Sequence, residues 1–525
     1  MSATDTDEAL RDDIERIAQR YDQLQYESKP FPHSQPARLA GLAQYFGVDV
    51  APVGSARVLE IGGASGGNLI PHAARHPEAQ FVEVDIGRAQ IEAGRARVAQ
   101  LGLTNIELRC ESLTEIDASW GSFDYIIAHG VLSWVPPAVQ DAMFRVISER
   151  LSPVGIACIS YNVLPGWRMF QTFRDALLLT IPDDIGATER VASARDLLAF
   201  MHARSCDPGV YGDLLRIWGE RLGGAPDYYL AHEYLEDANQ AFGVREFAAA
   251  AAGHRLAYLC DCDISTMMSA NYGPEVAQYV RTRTNGDLIA TEQYLDIIGG
   301  RTFRQSILVA EKRLASVNRA QSPASLFDRN FLIRDRLTLE QQEDQYLVSD
   351  PGGAWVRTPS KAAADGIARL IERHPSSSTV KDCIDAIPDG NERDRAMLLD
   401  ALYNMLSSYL IVLTSEPAVM VTAGDRPKAS PIARVDAANG AQATTNLRHE
   451  LVPLDPVMCA LLPAMDGTRD HAALIDVLER EALAGRLSFT RDDQPVTDPG
   501  GIREVAAEQL PGVLAAMARL SIIEG

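Results

Sequence analysis

The chain is 525 residues long, 46% hydrophobic and 23% charged, and carries a formal net charge of −22. That length is too great for one core and predicts about three or four domains of ordinary globular composition. The acidity argues against nucleic acid as a partner, because phosphates would be repelled; it suits a cationic protein substrate, or does no more than keep the chain in solution. Cys260-Asp261-Cys262-Asp263 lacks the spacing of a zinc site and the scattered cysteines form no disulfide framework, so neither metal nor disulfides are expected. Residues 1–15 are acidic and unlike a signal peptide, and no apolar run reaches membrane-spanning length; a cytosolic protein without membrane insertion is expected.

Residues 1–50 begin with an acidic helix. The run from Tyr21 to Pro36 that follows is too rich in proline for a regular helix, and a helix over 37–46 leads into what comes next. Two readings stand for the proline-rich run: a lid over a ligand mouth, or a strap packed on a sheet. Residues 51–170 alternate apolar strands with helical stretches, which predicts a parallel, doubly wound α/β sheet. The first strand is the most informative. Val58-Leu59-Glu60-Ile61 runs into Gly62-Gly63-Ala64-Ser65-Gly66-Gly67-Asn68, a strand, tight turn and helix whose glycines let backbone approach a ligand. A second strand, Phe81-Val82-Glu83-Val84, delivers Asp85 and Ile86 to the same sheet edge, where a carboxylate suits two ribose hydroxyls. Residues 105–110 form a third strand ending at Glu111-Ser112. Residues 123–128 form a fourth, ending at His129-Gly130, with Trp134 beyond. Residues 155–160 form a fifth, ending at Tyr161-Asn162, with Trp167 beyond. Ligands of such sheets bind past the carboxyl ends of the strands, so Gly62, Asp85, Glu111, His129 and Tyr161 are expected to converge on one crevice.

Helical spacing dominates residues 171–312, with helices over 189–204, 211–222 and 246–255, a short strand over 258–262 and a closing strand over 302–309. His232-Glu233 falls on an aromatic, acidic helical stretch and reads as structural. A linker over 311–325 precedes a module at 326–416, and a second linker over 417–431 precedes a module at 432–525. Both modules read as small winged-helix-type domains. The last has helix, turn with N-cap Asp470, helix, but no basic helix, which favours contact with protein over DNA.

The glycine turn, spaced Glu60-x-Gly62-x-Ala64-x-Gly66, resembles motif I of class I S-adenosylmethionine-dependent methyltransferases, with Ala64 in place of the usual middle glycine. Together with His129 to Pro136, Ser160 to Trp167, His232-Glu233-Tyr234-Leu235-Glu236, and Glu292-Gln293-Tyr294-Leu295-Asp296 followed by Arg301 to Gln305, it is similar to methyltransferases carrying a regulatory domain. The layout with two further modules looks like the rickettsial protein-lysine methyltransferases of outer-membrane proteins. The resemblance implies a Rossmann-like methyltransferase sheet, a mostly helical regulatory domain that mediates homodimerisation, S-adenosylmethionine as donor, and a lysine of a protein as acceptor. It implies that Glu60, Gly62, Gly63, Ala64, Gly66, Asn68, Asp85, Ile86, Glu111, Ser112, His129 and Gly130 hold the donor, with Glu111-Ser112 facing the adenine amine. For a lysine amine, aromatic rings and neutral polar groups suit the acceptor wall, which is expected from Trp134, Tyr161, Asn162 and Trp167. A small-molecule methyltransferase and a donor-binding scaffold without turnover remain alternatives.

Overall fold

A computed structural model of the protein describes residues 14–204, 209–387, 390–418, 420–491 and 494–524. Five strands run parallel: β1 (Arg57–Ile61), β2 (Gln80–Asp85), β3 (Ile106–Cys110), β4 (Phe123–Ala128) and β5 (Leu151–Asn162). β6 (Leu256–Asp261) and β7 (Phe303–Ala310) complete a seven-stranded sheet in the order β3-β2-β1-β4-β5-β7-β6, with β7 antiparallel to both its neighbours. The strand order reverses between β1 and β4, which puts the ligand crevice beyond their carboxyl ends. β1 is buried along Val58 to Ile61, as a central parallel strand covered on both faces must be.

The last two strands come from the stretch expected to be mostly helical. Between β5 and β6 lie the helices Arg168–Thr180, Ala187–Ala203, Val210–Gly223, Asp227–Tyr234 and Val244–Gly253. Several of them share a core with Trp134 and Trp167, built around Phe173, Leu177, Leu198 and Leu230, so this region packs directly on the loops after β4 and β5. The helix Leu288–Gly299 is tied to β7 by charge. The fully buried Arg304 guanidinium donates to Asp296 Oδ1 and Oδ2 at 2.8–3.1 Å and to Glu292 Oε2 at 2.7 Å, while Arg301 pairs with Asp261 at 2.7 Å. The Glu292-to-Asp296 and Arg301-to-Gln305 segments singled out in the sequence therefore form a buried brace for the end of the sheet.

The middle module has a sheet of Ser378–Thr379, Asn330–Ile333 and Ile411–Thr414, a meander of Thr338–Gln342, Gln345–Ser349 and Trp355–Thr358, and the helices Lys361–Arg373, Val380–Ile384 and Glu392–Ser407. The last module packs the helices Pro431–Ala438, Pro456–Leu461, His471–Leu483 and Pro499–Arg519 around Leu461, Leu474, Leu510 and Met517, with a two-stranded wing of Phe489–Arg491 and Gln494–Val496. Most of the acidic segment at the N-terminus lies outside the described residues. A helix covers 14–23, residues 24–31 have no regular secondary structure, and the helix Pro36–Tyr45 follows. Among the described residues no helix is long and apolar enough to cross a membrane.

Candidate active site

At the carboxyl ends of β1, β2 and β4 lies a cavity of about 400 Å³, within the range of small-molecule and cofactor sites. Glu60, Gly62, Gly63 and Ala64 line it from the first turn, Asp85 and Ile86 from the second, Glu111 and Ser112 from the third, and His129 and Gly130 from the fourth. The turn needs its glycines. Gly62 has φ +74, and a Cβ there would sit 2.4 Å from Val131 Cγ2. Ala64 holds φ +58 in the position where a glycine is more usual, and its N–H donates to Asp85 Oδ2 at 2.9 Å. Asp85 Oδ1 accepts from Gly87 N at 2.8 Å. Burial raises the Asp85 pKa while these two backbone donors oppose the rise.

Glu60 is buried, and burial pushes its pKa up to about 7 against the opposing hydrogen bond from Asn68. Its Oε1 accepts from Asn68 Nδ2 at 2.7 Å, whereas Oε2 has no partner among the described residues. Beside it on β2 lies the wholly buried Glu83, which burial pushes further still above the usual carboxylate range. His129 lies against Phe31, the rings tilted by 31° with centroids 3.8 Å apart, and meets Gln305 Nε2 through Nδ1 at 3.2 Å. Burial, with the nearby His33 and Lys29, lowers its pKa to about 3, so the ring is neutral at ordinary pH.

Residues 24–31 pass over the glycine turn. Ser28 Oγ accepts from Gly67 N at 2.7 Å and donates to Gly63 O at 3.2 Å. A Cβ on Gly67 would lie 2.4 Å from the Ser28 carbonyl carbon, so the close approach of strap and turn requires that glycine. The strap is held on its other side by the aromatic, acidic helix. His232 Nε2 lies 2.6 Å from Leu24 O, Tyr21 stacks on His232, and Tyr228 donates to Glu27 at 2.7 Å. Tyr21, Tyr26, Ser28 and Phe31 all line the cavity.

The far end of the cavity is aromatic. Trp134 and Trp167 meet edge to face at 6.1 Å, and Phe170 stacks on Trp167 at 4.7 Å. Asn162 belongs to the same wall. Its Nδ2 is buried with no partner among the described residues. Tyr161 does not line the cavity. Successive residues of a strand face opposite sides; Tyr161 points into the core behind β5, stacked on Phe247 at 4.1 Å with its hydroxyl 3.1 Å from Ser306 Oγ. Of the expected donor-binding set, Gly66 and Asn68 also stand off the cavity. Asn68 acts behind the turn instead: besides Glu60 it receives Phe31 N at 2.9 Å and meets His449 Nε2 at 2.7 Å. Sequence reasoning read Glu233 as structural, yet it lines the aromatic end together with Tyr229. Their separation of four residues on a helix was the signal, because it puts both on one face.

Three family profiles match the chain: "Methyltransferase domain" over residues 58–155, "Predicted methyltransferase regulatory domain" over 226–310, and "PKMT, C-terminal winged helix domain" over 425–522. The Rickettsia prowazekii (strain Madrid E) protein RP789 is 33% identical over 503 residues, 92% of this chain and 90% of its own length. The chain belongs to this family of S-adenosylmethionine-dependent methyltransferases. A second protein of that organism, RP028, is 34% identical over 230 residues, 43% of this chain and 91% of its own. The solved structure of PKMT2 from Rickettsia typhi shares the fold, with a TM-score of 0.85 at 24% identity over 95% of this chain and all of that one; a second structure of PKMT2 holds AdoHcy and superposes with a TM-score of 0.84.

The cavity fits the donor of this family. Two residues that line it, Glu60 and Asn162, each carry a buried polar atom, Oε2 and Nδ2, with no hydrogen-bond partner among the described residues, which leaves both side chains capacity for a polar ligand.

Proposed function

We propose that this methyltransferase transfers the methyl group to the side-chain amine of lysine in a protein. The observation that carries the reading is the join of two unlike ends in one cavity: a turn of glycines and carboxylates that suits a nucleoside, and a wall of Trp134, Trp167 and Phe170 with Asn162, whose Nδ2 has no partner among the described residues. Aromatic faces attract an ammonium without fixing it as tightly as a charge would. The PKMT winged-helix match and the PKMT2 fold support the same reading.

In this reading Asp85 takes the ribose hydroxyls, Ile86 and Leu113 flank the adenine, and Glu111-Ser112 face its amine. Glu60 Oε2 accepts from the donor's α-amino group, and neutral His129 fills space beside the sulfonium without adding charge. S-adenosylmethionine supplies a methyl group already activated on sulfur. The chain's own tasks are then to align the amine, strip its proton and exclude water. The strap over 24–31 closes the mouth of the cavity. The reading includes a homodimer through the helical region, where Phe200, Tyr211 and Ile217 stay more than half exposed; light scattering at several concentrations decides that part.

The test uses methyl-labelled donor, purified protein and a lysate of the source organism, followed by hydrolysis and identification of the labelled amino acid. Label on lysine in a protein band is the expected result. Label confined to small molecules overturns the protein acceptor, and no label despite measured donor binding overturns catalysis.

A further inference from the structure

One cavity residue is left without a role by the assignments above. Glu233 sits on the helix Asp227–Tyr234 and reaches the aromatic end of the cavity, yet its carboxylate has no hydrogen-bond or ion-pair partner among the described residues. Its surroundings hold it there. Arg174, on the helix Arg168–Thr180, donates to the Glu233 backbone oxygen at 2.7 Å and not to its carboxylate. His232, its neighbour in sequence, is turned away to Leu24 O. Tyr229 lies one turn earlier on the same face, Tyr21 faces it from the helix over 14–23 and Tyr26 from the strap. Arg221, at the end of the helix Val210–Gly223, shares the cavity without pairing with it.

We propose that Glu233 receives the acceptor: its carboxylate pairs with the arriving lysine ammonium and takes the proton that must leave before the nitrogen can attack. The inference rests on the lysine reading. One N–H bond breaks and one O–H bond forms on Glu233, leaving a neutral amine between Asn162 and the tryptophans. The amine's lone pair then forms the N–C bond as the donor's C–S bond breaks, with that pair left on sulfur. The product departs as a methylammonium, and Glu233 returns its proton to water.

Burial pushes the Glu233 pKa up to about 7, against the opposing fields of Arg174 and His232. A base that titrates near neutral pH both holds an ammonium as carboxylate and accepts its proton. The tyrosines that face it have pKa values raised by burial, so they stay neutral and do not compete for the cation.

The probe is n-butylammonium, a lysine side chain without its backbone, titrated into the full chain saturated with AdoHcy and read by tryptophan fluorescence. Butanol serves as the uncharged control. The wild type is expected to bind n-butylammonium saturably, with affinity rising as pH rises through about 7. Glu233→Gln is expected to lose about tenfold or more of that affinity, to lose the pH dependence, and to keep its affinity for AdoHcy and butanol. Unchanged n-butylammonium binding in Glu233→Gln overturns the proposal. Lost AdoHcy affinity also overturns it, by moving Glu233 to the donor. Label on an acceptor other than lysine in the lysate experiment, with ammonium binding as expected, removes the lysine reading and leaves the cation site standing.

Discussion

At the scale of single residues, the cavity divides its polar groups by what each can reach. Asp85 already holds two backbone donors and, in the proposed reading, takes the ribose hydroxyls, so Asp85→Ala is expected to weaken donor affinity by ~1–3 kcal/mol, the range for hydrogen bonds lost around a charged group. Calorimetric titration with AdoHcy measures this, and an unchanged affinity would place the ribose elsewhere. Asn162 and Tyr161, adjacent in sequence, should part company. Asn162→Ala removes a cavity amide and is expected to lower turnover roughly tenfold to a hundredfold. Tyr161→Phe removes one buried hydrogen bond behind the sheet and should cost about 0.5–1.5 kcal/mol of stability with turnover near that of the wild type. Glu60 makes a pH prediction. Its folded pKa, about 7, lies above the usual 4.5, so its contribution to stability is complete below pH 4.5 and is lost as pH rises through 7. Glu60→Gln escapes that loss. Its melting temperature relative to the wild type should therefore rise between pH 5 and pH 8; a constant difference would mean that Glu60 is not protonated by burial.

At the scale of elements, the strap and the buried brace each depend on one residue. Gly67→Ala places a Cβ 2.4 Å from the Ser28 carbonyl carbon, which the strap can relieve only by lifting from the turn. The expected cost is about 1–3 kcal/mol, seen as faster AdoHcy release in stopped flow and faster proteolysis near residue 28. Arg304→Ala leaves Glu292 and Asp296 buried without their cation, and breaking such a pair costs about 3–5 kcal/mol. Thermal unfolding reads that loss, and a change under 1 kcal/mol would show that water or rearrangement replaces the arginine. The glycine turn and the first five strands were legible because short-range pattern decides them: apolar runs, a tight turn, a carboxylate at a strand end. The strand alternation that separates Tyr161 from Asn162 was legible too, had β5 been extended through Asn162. The strap's proline content was visible but not its destination, since Ser28, Gly67 and His232 meet only through the fold.

At the scale of the whole molecule, the sheet crosses the boundary expected between residues 51–170 and 171–312. β6 and β7 pair onto β5 from beyond the inserted helices, because an antiparallel closing strand carries no short-range mark of its partner. The spacing of Tyr229 and Glu233 marked a shared helix face but not what that face meets: it reaches the loops after β4 and β5 only when the region between β5 and β6 folds back. The last module also touches the helix Arg88–Leu101 and the end of the glycine turn. Arg97 pairs with Asp436 at 2.8 Å, Asn439 donates to Gln100 at 2.9 Å, and His449 reaches Asn68. Its winged-helix form is thus joined to the methyltransferase domain through the end of its first helix, Pro431–Ala438, and through His449.

Asn68 binds together pieces of the chain made far apart in time. It holds Glu60 and the strap early in the sequence and His449 near its end. During synthesis the turn emerges from the ribosome long before the histidine that completes its hydrogen bonding. A ribosome-bound chain stalled before residue 449 is therefore expected to hold AdoHcy more loosely than the released protein, and filter binding on stalled chains of increasing length would locate the step. Competence for the donor would then be acquired late in translation, once residue 449 can reach the turn.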